Sequence, residues 1–339
     1  MSALRVGLIG FGLAGRVFHA PLVAATEGLD LAAVVTSRVD EVAAAYPGTA
    51  VVAEAGDLWD HCDLAVVAAP NRVHAPLARE ALARGLAVVV DKPLAVSAPD
   101  AEALLEEARA HDGRLTAFHN RRWDGDFLTV RRLVEDGALG DVVRFESRFE
   151  RFRPSVSAGV WRERGDPEEG GGVLLDLGPH LVDQALLLLG PARLAHAEVD
   201  RRRPGAAVDD DAFLALEHES GVRSHLWMSA IAPLHGPRFA VSGLAGGLQT
   251  SGLDPQEAQL RAGLSPADPG YGVAERPGRL VTADREQAVE LERGDYPAFY
   301  AQVVRWVRDG AEPPVAPEDA LAGLRILDAA RRATEESPV

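Results

Sequence analysis

Residues 4–16 of the chain read LRVGLIGFGLAGR, an apolar run that passes directly into a glycine-rich turn. The run Leu4–Ile9 has the length and composition of a buried strand, and apolar residues at helical spacing follow the turn. In the GxGxxG spacing, Gly10 permits a tight turn, Gly12 lets a pyrophosphate approach the backbone, and Gly15 lets helix and strand pack closely. The stretch predicts a dinucleotide site at the start of a Rossmann domain, the alternative being an ordinary strand-to-helix turn.

Five further apolar runs follow within the first 120 residues, separated by alanine-rich segments with helical spacing. The runs are Leu31–Val35, Ala50–Ala53, Leu64–Ala68, Leu86–Val90 and Leu115–Phe118. Two helical segments are Val73–Ala83 and Ala98–His111, the latter with Ser97 as its expected N-cap. Strands that are apolar throughout are typical of a parallel sheet covered on both faces. We therefore predict a doubly wound α/β Rossmann domain over residues 1–120.

The pattern changes after Asn120 to longer stretches of alternating polar and apolar residues, which favour antiparallel strands with one wetter face. The predicted strands are Val142–Arg151, Leu194–Arg202, Ala212–Glu219 and Val222–Ser229. The predicted helices are Phe127–Asp136, Val173–Leu189, Tyr296–Arg308 and Pro317–Thr334. The Gly- and Pro-rich stretch Ser251–Gly278 is expected to be a long surface excursion. Residues 121–339 are thus predicted to form an α+β domain with a mostly antiparallel open sheet. We expect this domain to bind substrate and to mediate oligomerisation, and its last helices can pack back on the first domain.

The composition excludes several classes of function. Thirty-five basic residues against 51 acidic ones give a net charge of −16, so we expect no binding to nucleic acid or to an anionic membrane. Cys62 is the only cysteine, and no residues show metal-ligand spacing, so we predict no disulfide framework and no metal site. No signal-type segment opens the sequence, and no apolar run approaches the ~20 residues that span a bilayer. These features predict a cytoplasmic protein.

The end of the second predicted strand bears on cofactor choice. An NAD site usually presents a carboxylate to the ribose 2′-hydroxyl there, but this sequence has Ser37 and Arg38. A guanidinium binds a 2′-phosphate through its planar fork, so NADP is preferred over NAD. The alternative is that Arg38 is a solvated residue at a helix start and that Asp40 makes the contact.

Two groups of residues can carry chemistry. Lys92 follows the fifth predicted strand and should face the cofactor crevice, because ligands bind outside the carboxyl ends of parallel strands. Asp176 and His180 stand four residues apart, hence on one face of a helix, where the carboxylate can orient the imidazole. Gly178 and Pro179 weaken that helix by propensity, which makes them candidate functional positions. The structural alternatives are that Lys92 is an ordinary surface lysine and that Asp176 and His180 are a buried polar pair. We interpret His19 and Cys62 as packing residues.

With these residues in place, the chain resembles the Gfo/Idh/MocA family of NAD(P)-dependent oxidoreductases over essentially its whole length. The resemblance rests on the glycine turn, on the loop Pro70–His74, on the Asp91-Lys92-Pro93 turn and on the helix that carries Asp176 and His180. The segments GFGLAGRVFHAPL at residues 10–22 and FHNRRWD at residues 118–124 are similar to the branch that contains NADP-dependent scyllo-inositol dehydrogenases.

The resemblance implies an oxidoreductase that moves a hydride between nicotinamide and a secondary alcohol of a cyclitol or sugar. It implies a catalytic triad of Lys92, Asp176 and His180, and a nicotinamide ribose lined by Asn71, Asp91 and Lys92. The family's commonest residue at position 91 is Glu, which is one methylene longer than Asp. Further predicted cofactor contacts are Phe11, Leu13, Pro70 and His74. The resemblance also implies a homodimer or homotetramer.

Polyol binding needs hydrogen-bonding groups and a flat apolar surface. The candidates are Asn120, Arg122, Trp123, Trp161 and Tyr296, each of which could equally serve packing or surface ion pairs. Two alternatives to a dehydrogenase remain open: a hydrolase or eliminating enzyme that uses NAD+ transiently, and a nucleotide-binding regulator without turnover. Within redox chemistry, reduction of an imine or a ketosugar is a third possibility.

Overall fold

The computed structural model describes residues 2–111, 113–156, 163 and 170–335. It divides into two compact units, which are described separately below. Unit 1 comprises residues 1–123, 255–272 and 295–321. Unit 2 comprises residues 124–254, 273–294 and 322–339.

Unit 1 contains a sheet of six parallel strands in the order β3-β2-β1-β4-β5-β6. The strands are β1 (Leu4–Ile9), β2 (Leu29–Val35), β3 (Ala50–Val52), β4 (Leu64–Val67), β5 (Ala87–Asp91) and β6 (Leu115–Phe118). The strand order reverses between β1 and β4, and ligands of such sheets bind at the carboxyl edge beside this reversal. The predicted doubly wound parallel sheet is confirmed.

Helices flank these strands. A π-helical turn, Gly15–His19, leads into α1 (Ala20–Ala25), and α2 (Val39–Ala45), α3 (His74–Leu82) and α4 (Ala98–Ala110) follow. The Ser97 hydroxyl accepts a hydrogen bond from the Asp100 amide, which confirms the predicted N-cap. Later segments add α7 (Gln256–Arg261), α8 (Pro297–Asp309) and the start of α9 (Pro317–Glu335).

Unit 2 contains an eight-stranded sheet in the order β14-β13-β12-β11-β7-β10-β9-β8. The strands are β7 (Val142–Glu150), β8 (Ala192–Asp200), β9 (Asp211–His218), β10 (Arg223–Ser229), β11 (Phe239–Gly243), β12 (Gly246–Thr250), β13 (Gly278–Thr282) and β14 (Glu286–Val289). Among the described strands of this sheet, β7 and β10 pair in parallel and the other pairs are antiparallel. The expectation of a mostly antiparallel sheet is therefore confirmed.

Two helices of unit 2 precede and follow β7, namely α5 (Gly125–Glu135) and α6 (Val173–Leu189). Helix α6 packs against β7, β9 and β10. It continues through Pro179, and a side chain at Gly178 would lie 2.7 Å from Leu327 and 3.3 Å from Met228. Gly178 is thus explained by close packing, which corrects its interpretation as a functional position.

The region after β10 departs most from the sequence prediction. Strands β11 to β14 were not predicted, because they are four or five residues long and three of them contain glycine. The stretch Ser251–Gly278 was predicted as a surface excursion, but it contains α7 and buries Leu260 and Tyr271. A six-residue helix carries too little periodicity to stand out among glycine and proline. In the described part of the chain, no helix has the length and apolar character needed to cross a membrane.

The start of α6 depends on a residue distant in sequence. Its N-cap position is Gly172, which has no side chain to bond to the helix. Asp209 supplies the missing acceptors: its carboxylate accepts from the Leu174 amide at 2.7 Å, and its backbone carbonyl accepts from the Val173 amide at 3.0 Å. Burial raises the pKa of the Asp209 carboxyl from 3.8 to about 6.

This raised pKa predicts a pH-dependent stability contribution. The folded state binds the proton more tightly than the unfolded state, so the contribution of Asp209 falls as pH rises from about 4 to about 6. Asp209→Asn removes this titration. As pH rises over this range, the free energy of unfolding of the variant should therefore increase relative to that of the parent by up to about 3 kcal/mol. Denaturant unfolding at pH 4.5 and pH 7 measures this, with the exposed Asp141→Asn as control. An equal difference between variant and parent at both pH values would contradict it.

Candidate functional site

The glycine turn after β1 has a shape that matches a bound pyrophosphate. Gly10 has φ +99°, and a side chain there would lie 2.5 Å from the Ala68 carbonyl oxygen. A side chain at Gly15 would collide with the Gly10 carbonyl oxygen. At Gly12, in contrast, no atom lies within 4 Å of an added Cβ. Two glycines are therefore required by the fold, and the third leaves open space above the backbone where a phosphate group fits.

The predicted flanking residues differ in exposure. Phe11 is buried, its ring 6.3 Å from that of Tyr46, whereas Leu13 is partly exposed. Pro70 is exposed and Asn71 half-buried in the turn that follows β4. Leu13, Pro70 and Asn71 thus have surface on which a ligand of unit 1 can lie.

The turn after β5 carries Asp91 and Lys92, both half-buried, with a cis peptide bond between Lys92 and Pro93. The buried ring of His74 lies between two backbone oxygens, with Nδ1 2.8 Å from Pro93 O and Nε2 2.8 Å from Ala69 O. Burial lowers the pKa of His74, which keeps the imidazole neutral near pH 7. His74 therefore ties the loop after β4 to the turn after β5.

Lys92 is the only lysine in the sequence; the other 34 of the 35 basic residues are arginines. A lysine amine can exchange its proton near neutral pH when its pKa is lowered, whereas a guanidinium stays charged. This composition signal singles out Lys92, and the motif-based prediction made no use of it.

Asp91 faces a residue that the sequence prediction treated as packing. Its Oδ1 atom lies 3.6 Å from Nε2 of His19, whose Nδ1 lies 2.7 Å from the Tyr300 hydroxyl. Burial opposes the charged form of Asp91, but the contact with His19 and the positive charge of Lys92 outweigh burial and lower the pKa of this carboxyl. Burial raises the pKa of Tyr300 well above its usual value, so its hydroxyl keeps its proton.

The carboxyl end of β2 carries two guanidinium groups. Arg38 Nη1 lies 3.1 Å from Glu41 Oε1, and Arg16 Nη1 lies 3.2 Å from Glu41 Oε2. All three side chains are about half exposed. Ser37 is exposed beside them. Arg16 was not predicted; its position in the first turn after the glycines would have indicated it.

In unit 2, Asp176 lines a cavity of about 80 Å³ at the start of α6. The cavity is also lined by the guanidinium-bearing residues Arg151, Arg153 and Arg203 and by the carboxyl-bearing residues Glu163 and Asp209. Asp176 Oδ2 lies 4.0 Å from Arg151 Nη1. Neither the arginines nor Asp209 was predicted, since they come from the segment directly after β7 and from the β8–β9 connection, far from Asp176 in sequence.

His180 lies one turn after Asp176 on α6 and is 6% exposed. The helix is hydrophobic on most sides, so a histidine and two aspartates within it stand out. Among the described lining residues of the cavity, Asp176 is the member of the predicted triad.

The structure places the remaining predicted residues as follows. Asn120 is 4% exposed, and Arg122, 9% exposed, pairs with Asp319 at 3.0 Å. Trp123 packs edge-on against Phe299. Tyr296 is completely buried, so its side chain contributes to the core of unit 1. Trp161 lies outside the described residues.

Comparison with known proteins covers the whole chain. Residues 4–119 match the Gfo/Idh/MocA family model described as an oxidoreductase family, NAD-binding Rossmann fold, and residues 131–339 match the model of its C-terminal alpha/beta domain. The chain is 39% identical to the oxidoreductase YdgJ of Escherichia coli, over 96% of this chain and 94% of that protein. It is 33% identical to the scyllo-inositol 2-dehydrogenase (NADP(+)) IolW of Bacillus subtilis, over 99% and 95%. The solved structure of the oxidoreductase YvaA from Bacillus subtilis superposes with a TM-score of 0.93 at 32% identity, covering 99% of this chain and 97% of that one.

The open space at Gly12 gives a specific prediction for dinucleotide binding. Gly12→Ala should fold normally, because its Cβ meets nothing, but it should weaken dinucleotide binding at least about tenfold by filling the space of the pyrophosphate. Gly15→Ala is the matched contrast: its Cβ collides with Gly10, so it should lower the melting temperature. Isothermal titration with NADP+ and thermal unfolding measure the two effects. Unchanged affinity in Gly12→Ala would contradict this position of the pyrophosphate.

Proposed function

The chain belongs to the Gfo/Idh/MocA oxidoreductase family, and on that premise we propose that it moves a hydride between NADP and a secondary alcohol of a cyclitol or sugar. Membership makes it an NAD(P)-dependent dehydrogenase acting on alcohols. The proposal adds the class of alcohol, the preference for NADP and the roles of individual residues.

The cavity beside Asp176 is the observation that carries the proposed substrate class. Its charged lining mixes guanidinium groups with carboxylates, so both donors and acceptors line a cavity of about 80 Å³. A polyol offers hydroxyl groups that donate and accept in turn, and each can be satisfied by such a lining. A purely apolar alcohol offers no further donors or acceptors to this lining. The relative IolW, named for scyllo-inositol, fits the same class.

The proposed catalytic roles follow from the chemistry of the side chains. His180 takes the hydroxyl proton, since imidazole is the side chain that most often serves as a general base at neutral pH. Asp176 fixes the orientation of the substrate and of the imidazole. Lys92 polarises the alcohol oxygen or, with its pKa lowered, shares the proton transfer. When bound in the glycine turn, the nicotinamide cofactor supplies the acceptor for the carbinol hydrogen.

NADP preference rests on the end of β2. Arg16 and Arg38 converge there on Glu41, and the strand end itself lacks the carboxylate that selects NAD. A 2′-phosphate can take the place of Glu41 as the partner of the two guanidinium groups. The NADP(+) in the name of IolW supports the same preference.

Turnover with a polyol panel tests the proposal. Inositols, aldoses and sugar alcohols are offered with NADP+ or NAD+, and reduced nicotinamide is followed by absorbance. We expect reduction with at least one cyclitol or sugar, and a loss of at least about 100-fold in His180→Ala. Lys92→Arg should lose as much although it keeps the charge, because a guanidinium cannot reproduce a compact, titratable amine. The exposed His196→Ala serves as control.

The outcomes also separate the alternatives. Tight cofactor binding with consumption of a glycoside but no net reduced nicotinamide would favour transient internal redox. Tight binding without any turnover would favour a regulator. Full activity in Lys92→Arg or His180→Ala would overturn the proposed roles.

A second prediction concerns cofactor choice. Arg38→Ala should raise the KM for NADP+ about tenfold, because it removes a charged hydrogen bond to the 2′-phosphate, and should change the KM for NAD+ less than twofold. Arg84→Ala, which removes another exposed arginine of unit 1, is the control. Equal effects on both cofactors would count against the assignment of Arg38.

A further inference from the structure

The side chains of Tyr300, His19 and Asp91 form a series of contacts that ends at the carboxyl end of β5. The Tyr300 hydroxyl of α8 lies 2.7 Å from His19 Nδ1, and His19 Nε2 lies 3.6 Å from Asp91 Oδ1. His19 and Tyr300 are both completely buried, and Asp91 is 14% exposed. All three residues belong to unit 1. Only the last member of the series therefore reaches a surface where a ligand can bind.

The chemistry of the end groups fixes the proton positions. A carboxylate is acceptor only, so the His19 nitrogen that faces Asp91 must carry a proton. In the neutral ring, Nδ1 is then the acceptor, and the Tyr300 hydroxyl donates to it. If both ring nitrogens carry a proton, Nε2 is still the donor and the Asp91 carboxylate is still the acceptor. The carboxylate thus selects the tautomer of His19, and the Tyr300 hydroxyl, which can donate, satisfies Nδ1.

The position of His19 in the backbone supports a role beyond packing. It is the last residue of the π-helical turn Gly15–His19, and such turns occur often at functional sites. Its ring packs against that of Phe118, with centroids 4.3 Å apart and planes tilted by 48°, which limits the orientations of the imidazole. Among the described residues, Nε2 has no partner within hydrogen-bond distance, and a buried nitrogen in that condition needs an explanation. The explanation offered by the geometry is the carboxylate of Asp91.

We propose that Tyr300 and His19 are positioning residues that orient the Asp91 carboxylate toward the ribose next to the nicotinamide. This inference rests on the proposed function, because it takes Asp91 as the ribose ligand. His19 holds Oδ1 from the buried side and leaves Oδ2 for the ligand. Aspartate is shorter than glutamate, so a fixed carboxylate direction matters more at this position than it would on a longer side chain.

The test uses Tyr300→Phe, which removes one oxygen atom and keeps the ring that packs against Phe118 and Phe299. Dissociation constants are measured by titration calorimetry for NADP+ and for 2′,5′-ADP, a fragment that lacks the nicotinamide ribose. We expect the dissociation constant for NADP+ to rise about fivefold, which corresponds to the loss of one ordinary hydrogen bond. The dissociation constant for the fragment should not change. His19→Phe should give a rise at least as large. Tyr271→Phe, which alters another buried tyrosine of unit 1, controls for lost buried hydroxyls.

A double-mutant cycle separates positioning from a general structural role. If Tyr300 acts through Asp91, the effect of Tyr300→Phe on NADP+ binding should vanish in the Asp91→Ala background, which removes the side-chain acceptor. An equal loss of affinity for NADP+ and for the fragment would overturn the inference, as would unchanged NADP+ affinity or an effect that persists in Asp91→Ala. If the parent protein binds neither NADP+ nor NAD+, the proposed function fails instead.

Discussion

The close contact between Gly15 and Gly10 is the constraint on which the first unit depends. A side chain at position 15 would overlap the Gly10 carbonyl oxygen, so the helix can begin directly behind β1 only with glycine there. The π-helical turn that follows ends at His19, whose Nε2 lies 3.6 Å from Asp91 Oδ1 at the end of β5. Glycine at position 15 therefore permits the segment that contains both the open space at Gly12 and the histidine that faces Asp91.

The sequence allowed the framework to be predicted where burial on both sides imposes a continuous apolar run. Strands β1 and β6 and helix α6 have the predicted bounds, since their apolar residues end at glycine, proline or polar positions. Strands β11 to β14 lack such a signal, because their stability comes from pairing with neighbours rather than from their own composition. Gly178 was misinterpreted for a related reason: its packing against Leu327 and Met228 is visible only once the fold is known.

The candidate site could be predicted only in the residues that belong to local motifs. Gly12, Lys92 and Asp176 stand in recognisable stretches, but Arg151 and Asp209 reach the Asp176 cavity from segments that no spacing rule connects to it. His19 is a different case. An isolated histidine on an apolar helix face is most often a packing residue, and only its distances to Tyr300 and Asp91 reveal a directed contact.

The choice between arginine and other basic residues follows the same pattern at these contacts. Every basic residue except Lys92 is an arginine, a group that stays charged and binds anions or caps carboxylates with fixed geometry. The arginines at the end of β2 and around Asp176 do this at both places. In the proposed function, the groups that move or direct a proton are instead Lys92 and histidines. His19 illustrates the principle: in the proposed arrangement Asp91 selects its tautomer, Tyr300 holds its other ring nitrogen, and Oδ2 of Asp91 stays available to a ligand.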